Sequence, residues 1–133
     1  VFGDYGGMIH MTKQISEQCY YLGKAYPIYV KVDPKIVKTD IVWDNEAFIC
    51  SVSSGVEKID FAGLIKSFYV REARKLIRQR LKNYQHCFKV KYKSFSIEDS
   101  SIKWGSCSSK RILTFHWRLM ALPIEVIDYV VVH

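Results

Sequence analysis

The sequence predicts an α+β fold, and three observations predict it. Between Ile28 and Val52, short runs of β-branched and aromatic residues alternate with polar ones and are separated by turn signals. Over 56–86, apolar residues recur at helical spacing along one uninterrupted stretch. After Phe88 the two-residue alternation returns, then gives way at Pro123 to a closing helical segment. The expected order is an N-terminal antiparallel β-meander, one long helix, a mixed sheet and a last helix. A chain of 133 residues, 49% hydrophobic and 25% charged, suits one globular domain with an ordinary core.

Residues 1–12 carry Gly3, Gly6 and Gly7 and no clear period, so 1–19 reads as a lead-in or linker remnant and 20–133 as the domain. Ile28, Val30 and Val32 alternate with Tyr29 and Lys31, a strand signal, and Gly23 ahead of them marks a bend or bulge. Asp33-Pro34-Lys35 and Asp44-Asn45-Glu46 are turn signals, leaving 36–43 and 47–52 as a second and third strand. Loops this short force neighbouring strands together, which gives the antiparallel meander. Ser54 with Glu57 fits a capping box opening the long helix.

On that helix Ile65, Tyr69, Ala73, Leu76 and Tyr84 share one face. Arg71, Arg74, Lys75, Arg78 and Lys82 gather on the other. Such a stripe is either a solvated face or a surface for an anion or nucleic acid. Residues 88–93 alternate cleanly and read as a strand with a basic outer face. Phe95, Ile97 and 102–104 continue strand around a turn at 98–101, and 112–119 is a further strand. Pro123 stands at the favoured first position of the closing helix, which Ile124, Ile127 and Val131 should anchor.

No apolar run approaches the roughly 20 residues needed to cross a bilayer, so no membrane partner is expected. The start is small and acidic, unlike a secretory signal. Cys19, Cys50, Cys87 and Cys107 form no C-x-x-C pair, which argues against a structural zinc knuckle. They are expected reduced and mostly buried, in keeping with a cytoplasmic location. The net charge of +7 favours polyanions or acidic partners without demonstrating either.

The most specific signal lies near the end. Trp104-Gly105-Ser106-Cys107-Ser108-Ser109-Lys110 is followed by Ile112, then Trp117-Arg118-Leu119, Pro123, and Val126-Ile127-Asp128-Tyr129-Val130-Val131-Val132-His133. This succession resembles the YgjP-like family of metal-dependent hydrolases, zincins related to the SprT group. The upstream run from Tyr21 to Ile28 and the segment from Phe68 to Ala73, with Arg80-Leu81, fit the same family, so the resemblance covers nearly everything from Tyr20 onward.

The resemblance implies that the closing helix is the start of the zincin active-site helix and that His133 is the first zinc ligand. Glu would follow it directly, and a second His four positions after His133. In H-E-x-x-H, residues i and i+4 share a helix face, so both imidazoles reach one zinc while the Glu acts on its bound water. The intact protein would then hydrolyse peptide bonds. The chain ending at His133 lacks the Glu and the later ligands, so it is expected to bind no zinc of its own and to be inactive. The strand of Ile112, Leu113, Thr114, Phe115 and His116 would be the substrate-side edge strand that pairs with extended peptide.

Read from their positions alone, His116 can be a surface histidine, an ordinary hydrogen-bonded one or a cleft residue. Cys107, beside Ser106 and near His116, could look catalytic, but the resemblance implies a structural place at a tight turn before the substrate-side strand. His10 and His86 have no partners at ligand spacing. The rival class is a basic module gripping nucleic acid or an acidic protein through the helix stripe and Lys89, Lys91 and Lys93.

Overall fold

The computed structural model describes residues 2–5, 8–53, 58–89, 91–99 and 103–132. It is α+β, with two sheets, a long helix α1 (Phe61–Tyr84) and a short helix α2 (Ile124–Val132). The chain divides into two compact units, one of 1–20 with 25–68 and the other of 21–24 with 69–133.

The first unit is built on a five-stranded sheet in the order β1-β2-β3-β5-β4. Its strands are β1 (Phe2–Tyr5), β2 (Met8–Tyr21), β3 (Lys24–Val32), β4 (Asp40–Trp43) and β5 (Phe48–Val52). The segment 1–19, expected as a lead-in, thus carries β1 and most of β2, and residue 20 falls inside a strand. The antiparallel meander is corrected as well. β5 lies between β3 and β4 and runs parallel to β3, with Ile28 opposite Phe48 and Val32 opposite Val52. Only β4 and β5 form the expected antiparallel pair.

The reason is loop length. The strand expected from residue 36 starts at Asp40, so 33–39 is a link long enough to step across two strand spacings, roughly 9.6 Å, and leave room for β5 between. Both turn signals hold. Asp33 Oδ1 accepts from Lys35 N at 2.9 Å. Asp44 Oδ1 accepts from Glu46 N and Ala47 N at 2.9 and 2.8 Å, around Asn45 at φ 78°. Ile28, Ile41, Phe48, Cys50 and Val52 are buried. Phe48 makes edge contacts with Tyr26 and Phe68 at centroid distances of 6.0 and 5.1 Å.

α1 begins at Phe61, later than expected. Asp60 Oδ1 accepts from Gly63 N at 3.0 Å, which makes Asp60 the N-cap, while Ser54 and Glu57 lie outside the described residues. Its buried stripe is Tyr69, Ala73, Ile77 and Leu81, a strict four-residue step, with Phe68 beside it. Ile65, Leu76 and Tyr84, expected on the inner face, are only half-buried at its margins.

In the second unit a three-stranded mixed sheet has the order β6-β8-β7, formed by β6 (Ser94–Glu98), β7 (Gly105–Cys107) and β8 (Ile112–His116). The basic run 88–93 is not a strand in its described residues. Pairing with β8 starts only where Lys93 N donates to Arg111 O and Ser94 faces Ile112. Alternation alone does not make a strand without a partner alongside. A 3₁₀ turn, Trp117–Ala121, ends β8 at His116, three residues before the expected end at Leu119, and its Leu119 and Met120 are fully buried.

Candidate substrate cleft

The first determinant of the cleft is how α2 is held. Pro123 O accepts from Ile127 N at 3.1 Å, so Pro123 stands at the cap, one place before the helix proper. Ile127 and Val131 are buried as expected, whereas Ile124 is 37% exposed and does not anchor the helix. Gly23 touches the same corner. Leu22 N and Gly23 N donate to Met120 O and Ala121 O at 2.7 and 3.0 Å. Leu22 and Gly23 have φ of 52° and 86°, the two positive values of a tight hairpin turn rather than a bulge.

Polar contacts fix the rotation of α2. Arg80 grips Asp128 side-on, Nε to Oδ1 at 2.6 Å and Nη2 to Oδ2 at 2.5 Å, and the Tyr84 hydroxyl donates to Oδ2 at 3.0 Å. Asp128 holds the Arg80 guanidinium above its usual pKa, mainly through these hydrogen bonds, so it stays charged at every working pH. With Asp128 turned to α1, Tyr129 and Val130 face elsewhere, onto the sheet edge. Tyr129 is 64% exposed.

That edge is β7. Its close approach to α2 is eased by glycine: a Cβ at Gly105 would stand 3.0 Å from Val130 Cγ1 and 3.2 Å from Phe115 Cδ1, so both side chains would have to give way slightly. The resulting cleft has a volume of about 420 Å³. Lys103, Trp104 and β7 form one wall, Leu113 and Phe115 of β8 the floor, and Tyr129, Val130 and Val131 of α2 the other wall.

β8 is not an edge strand, which corrects the expectation for 112–116. It is paired with β6 on one side and β7 on the other, so its backbone groups are committed along both edges. Of the five residues expected to touch substrate, Leu113 and Phe115 reach the cleft through their side chains, while Ile112, Thr114 and His116 do not line it.

β7 offers the open edge instead. His116 N donates to Trp104 O and Ser108 N to Ile112 O, so the hydrogen-bonded pairs are 104 with 116, 106 with 114 and 108 with 112. The backbone N–H and C=O of Gly105 and Cys107 therefore point away from β8. The sequence signal for this edge is the W-G-S-C block, in which Trp104 was expected to end a strand and Cys107 to stand at a tight turn. Cys107 is the last residue of β7, exposed, with its thiol donating to Ser108 O at 3.5 Å. The hairpin turn follows it at 108–111, with Arg111 at φ 63°.

His116 is buried rather than surface-facing, at 8% exposure. Its Nδ1 accepts from Arg118 N at 3.0 Å, capping the 3₁₀ turn, and its ring lies between Trp104 and Trp117. Acting as acceptor there leaves the proton of the neutral ring on Nε2, 3.9 Å from Asp99 Oδ1. Asp99 also takes the Trp117 indole N–H at 2.9 Å. The cysteines divide evenly: Cys19 and Cys50 are buried, Cys87 and Cys107 exposed, and all are free thiols.

Among the described residues no group of three or more His, Cys, Asp and Glu could hold a metal ion, and His133 lies outside those residues. The cleft lining has no His, Asp or Glu. The described part of the cleft can therefore bind and orient an extended chain, but it does not by itself fit a metal ion. No helix among the described residues is long and apolar enough to cross a membrane.

Comparison with curated proteins and with solved structures finds no match. Residues 9–133 match the YgjP-like metallopeptidase domain, a description that implies a metal cofactor and peptide or protein substrates. Because the match takes in nearly the whole chain, the protein belongs to the YgjP-like metallopeptidase family.

Proposed function

We propose that the protein is a zinc-dependent peptidase that binds its substrate as an added strand on β7. The family match over 9–133 carries the peptidase reading. The outward-facing backbone of Gly105 and Cys107, on the open side of the cleft, supports the mode of binding. His133 is the first metal ligand in this reading. Tyr129 and Val130, four and three positions before it in the sequence, line the cleft. Glu next in the chain and His four positions after His133 complete H-E-x-x-H.

In this arrangement the substrate main chain lies antiparallel or parallel to Gly105–Cys107 with no demand on its sequence, because backbone pairs with backbone. Trp104, Leu113, Phe115 and Val130 shield it from water, and Tyr129 and Lys103 flank the opening. Leu113 and Phe115 contribute walls rather than hydrogen bonds, so the substrate contacts expected of 112–116 pass to β7.

The test uses the complete gene product and an unstructured fluorogenic peptide library. Hydrolysis should disappear on chelation, return with zinc and vanish in His133→Ala. Cys107→Pro removes an N–H that β8 does not use, so it should leave the fold intact and raise KM about two- to ten-fold, the loss of one backbone hydrogen bond. A coding sequence that continues past His133 without Glu and His at that spacing, or hydrolysis that survives metal removal, would overturn the peptidase reading. An unchanged KM in Cys107→Pro would overturn β7 pairing alone.

A further inference from the structure

The positive charge of this protein is concentrated in one segment. Residues 73–97 contain eight of the twenty Lys and Arg and none of the thirteen Asp and Glu. The segment alone carries +8 and the rest of the chain −1, so the whole net charge of +7 originates in the second half of α1 and the link to β6. Cations and carboxylates that serve only to keep a surface solvated are interspersed, because alternating signs stabilise a helix and like signs do not.

α1 sorts these cations further. Arg80, which turns toward α2, is held by Asp128. Arg71, Arg74, Lys75, Arg78 and Lys82 are all exposed and fall within about 100° of arc along about 16 Å of helix. Three like-charged pairs sit four residues apart, 71 with 75, 74 with 78 and 78 with 82, and each costs a few tenths of a kcal/mol in an isolated helix. Glu72 offsets them in part, 3.2 Å from Lys75 and 3.7 Å from Arg71.

A second group of cations joins the stripe. Arg78 lies over the Phe95 ring of β6, 5.8 Å from its centroid. Lys93, two residues before Phe95, is hydrogen-bonded through its backbone N–H to Arg111 O. Lys89, Lys91, Lys93 and Arg111 are exposed. The Arg78–Phe95 contact thus brings the helix stripe up to β6, next in the chain to the exposed cations of 89–93.

We infer that this surface binds the phosphate backbone of nucleic acid, independently of base sequence. Three classes of polyanion compete for such a face. A membrane-surface helix needs an apolar face turned outward, but Tyr69, Ala73, Ile77 and Leu81 are buried in the protein. A protein partner needs a cluster of apolar or aromatic anchors, yet among the described residues none of the exposed large hydrophobic residues lies between Arg71 and Ile97, and next to Arg111 in the chain stands a single one, Ile112 at 37% exposure. A phosphate backbone needs only fixed cations in a row. The surface is separate from the β7 cleft, and the inference stands whether or not the peptidase reading does.

The test is fluorescence anisotropy with a labelled mixed-sequence DNA duplex, the matching single strand and RNA of the same sequence, between about 0.05 and 0.2 M salt. With five phosphates neutralised, log K should fall against log salt with a slope of about −4.5, roughly a 500-fold loss over that range. The triple variant Arg74→Ala, Arg78→Ala, Lys82→Ala should reduce the slope by about three. The triple variant with Lys at the same positions, which keeps the charge and the helix, should retain it. Absence of binding at low salt would overturn the inference. So would a slope unchanged by the Ala variant, or equal affinity for phosphatidylserine vesicles.

Discussion

The clamp between Arg80 and Asp128 gives a prediction whose size follows from geometry. Asp128→Asn keeps the shape of the side chain and removes its charge, leaving Arg80 with one weak acceptor where it had two charge-assisted ones. An exposed ion pair is worth at most about 1 kcal/mol, and breaking a fully buried one costs about 3–5 kcal/mol. Here the side chains are 21% and 16% exposed, the bonding is bidentate, and Tyr84 adds a third hydrogen bond. The cost should lie between those limits, at about 2 kcal/mol, or about 6–8 °C in Tm for a domain of this size. Urea denaturation followed by tryptophan fluorescence measures it directly. Arg80→Met with Asp128→Asn closes a double-mutant cycle, whose coupling should reach about 1.5 kcal/mol. A single-variant loss below about 0.5 kcal/mol would place the pair among surface bridges and remove the reason given for the rotation of α2.

Gly23→Ala should lower stability by about 2–4 kcal/mol, since φ is 86° and the new Cβ would stand 2.8 Å from Pro123 Cγ; a loss under about 1 kcal/mol in urea midpoints would contradict it. Burial, with a smaller contribution from Asp40, pushes the Cys50 thiol above its ordinary value of 9.0. The unfolded chain therefore releases this proton first, so stability is intact below pH 9 and falls as pH rises beyond it. Cys50→Ala should flatten that alkaline fall in denaturant midpoints, and an unchanged profile would exclude Cys50 as its source. In native protein, a thiol reagent should label Cys87 and Cys107 quickly and Cys19 and Cys50 only on unfolding, read by mass spectrometry of the labelled peptides.

What could be read from the sequence was whatever local chemistry decides. Asp33-Pro34-Lys35 and Asp44-Asn45-Glu46 turn the chain where they stand because their carboxylates satisfy nearby amides. The long helix was legible from its period, though not its start, since Asp60 caps it as well as Ser54 would. Pairing was not legible. The order β3-β5-β4 depends on how far 33–39 reaches, and the sequence of β3 is equally compatible with either neighbour. The strand β2 and the non-strand 88–93 show the same limit from both sides. A partner strand made the first regular, while the described residues of the second, 88–89 and 91–93, are irregular despite their cleaner alternation.

The cleft shows how a correct motif can still yield the wrong edge. The block around Gly105 and the strand 112–116 were both marked, and the structure brings both to one cleft. Which of them offers its backbone is decided by β6, because its parallel pairing with 112–116 closes the far side of β8. Glycine then explains the near side. With no side chain at position 105, β7 can lie against Val130 and Phe115 while its outward amides stay open. The W-G-S-C block is therefore read best as the shape of an edge strand held close to a helix, and the residues of β8 as the apolar floor beneath it.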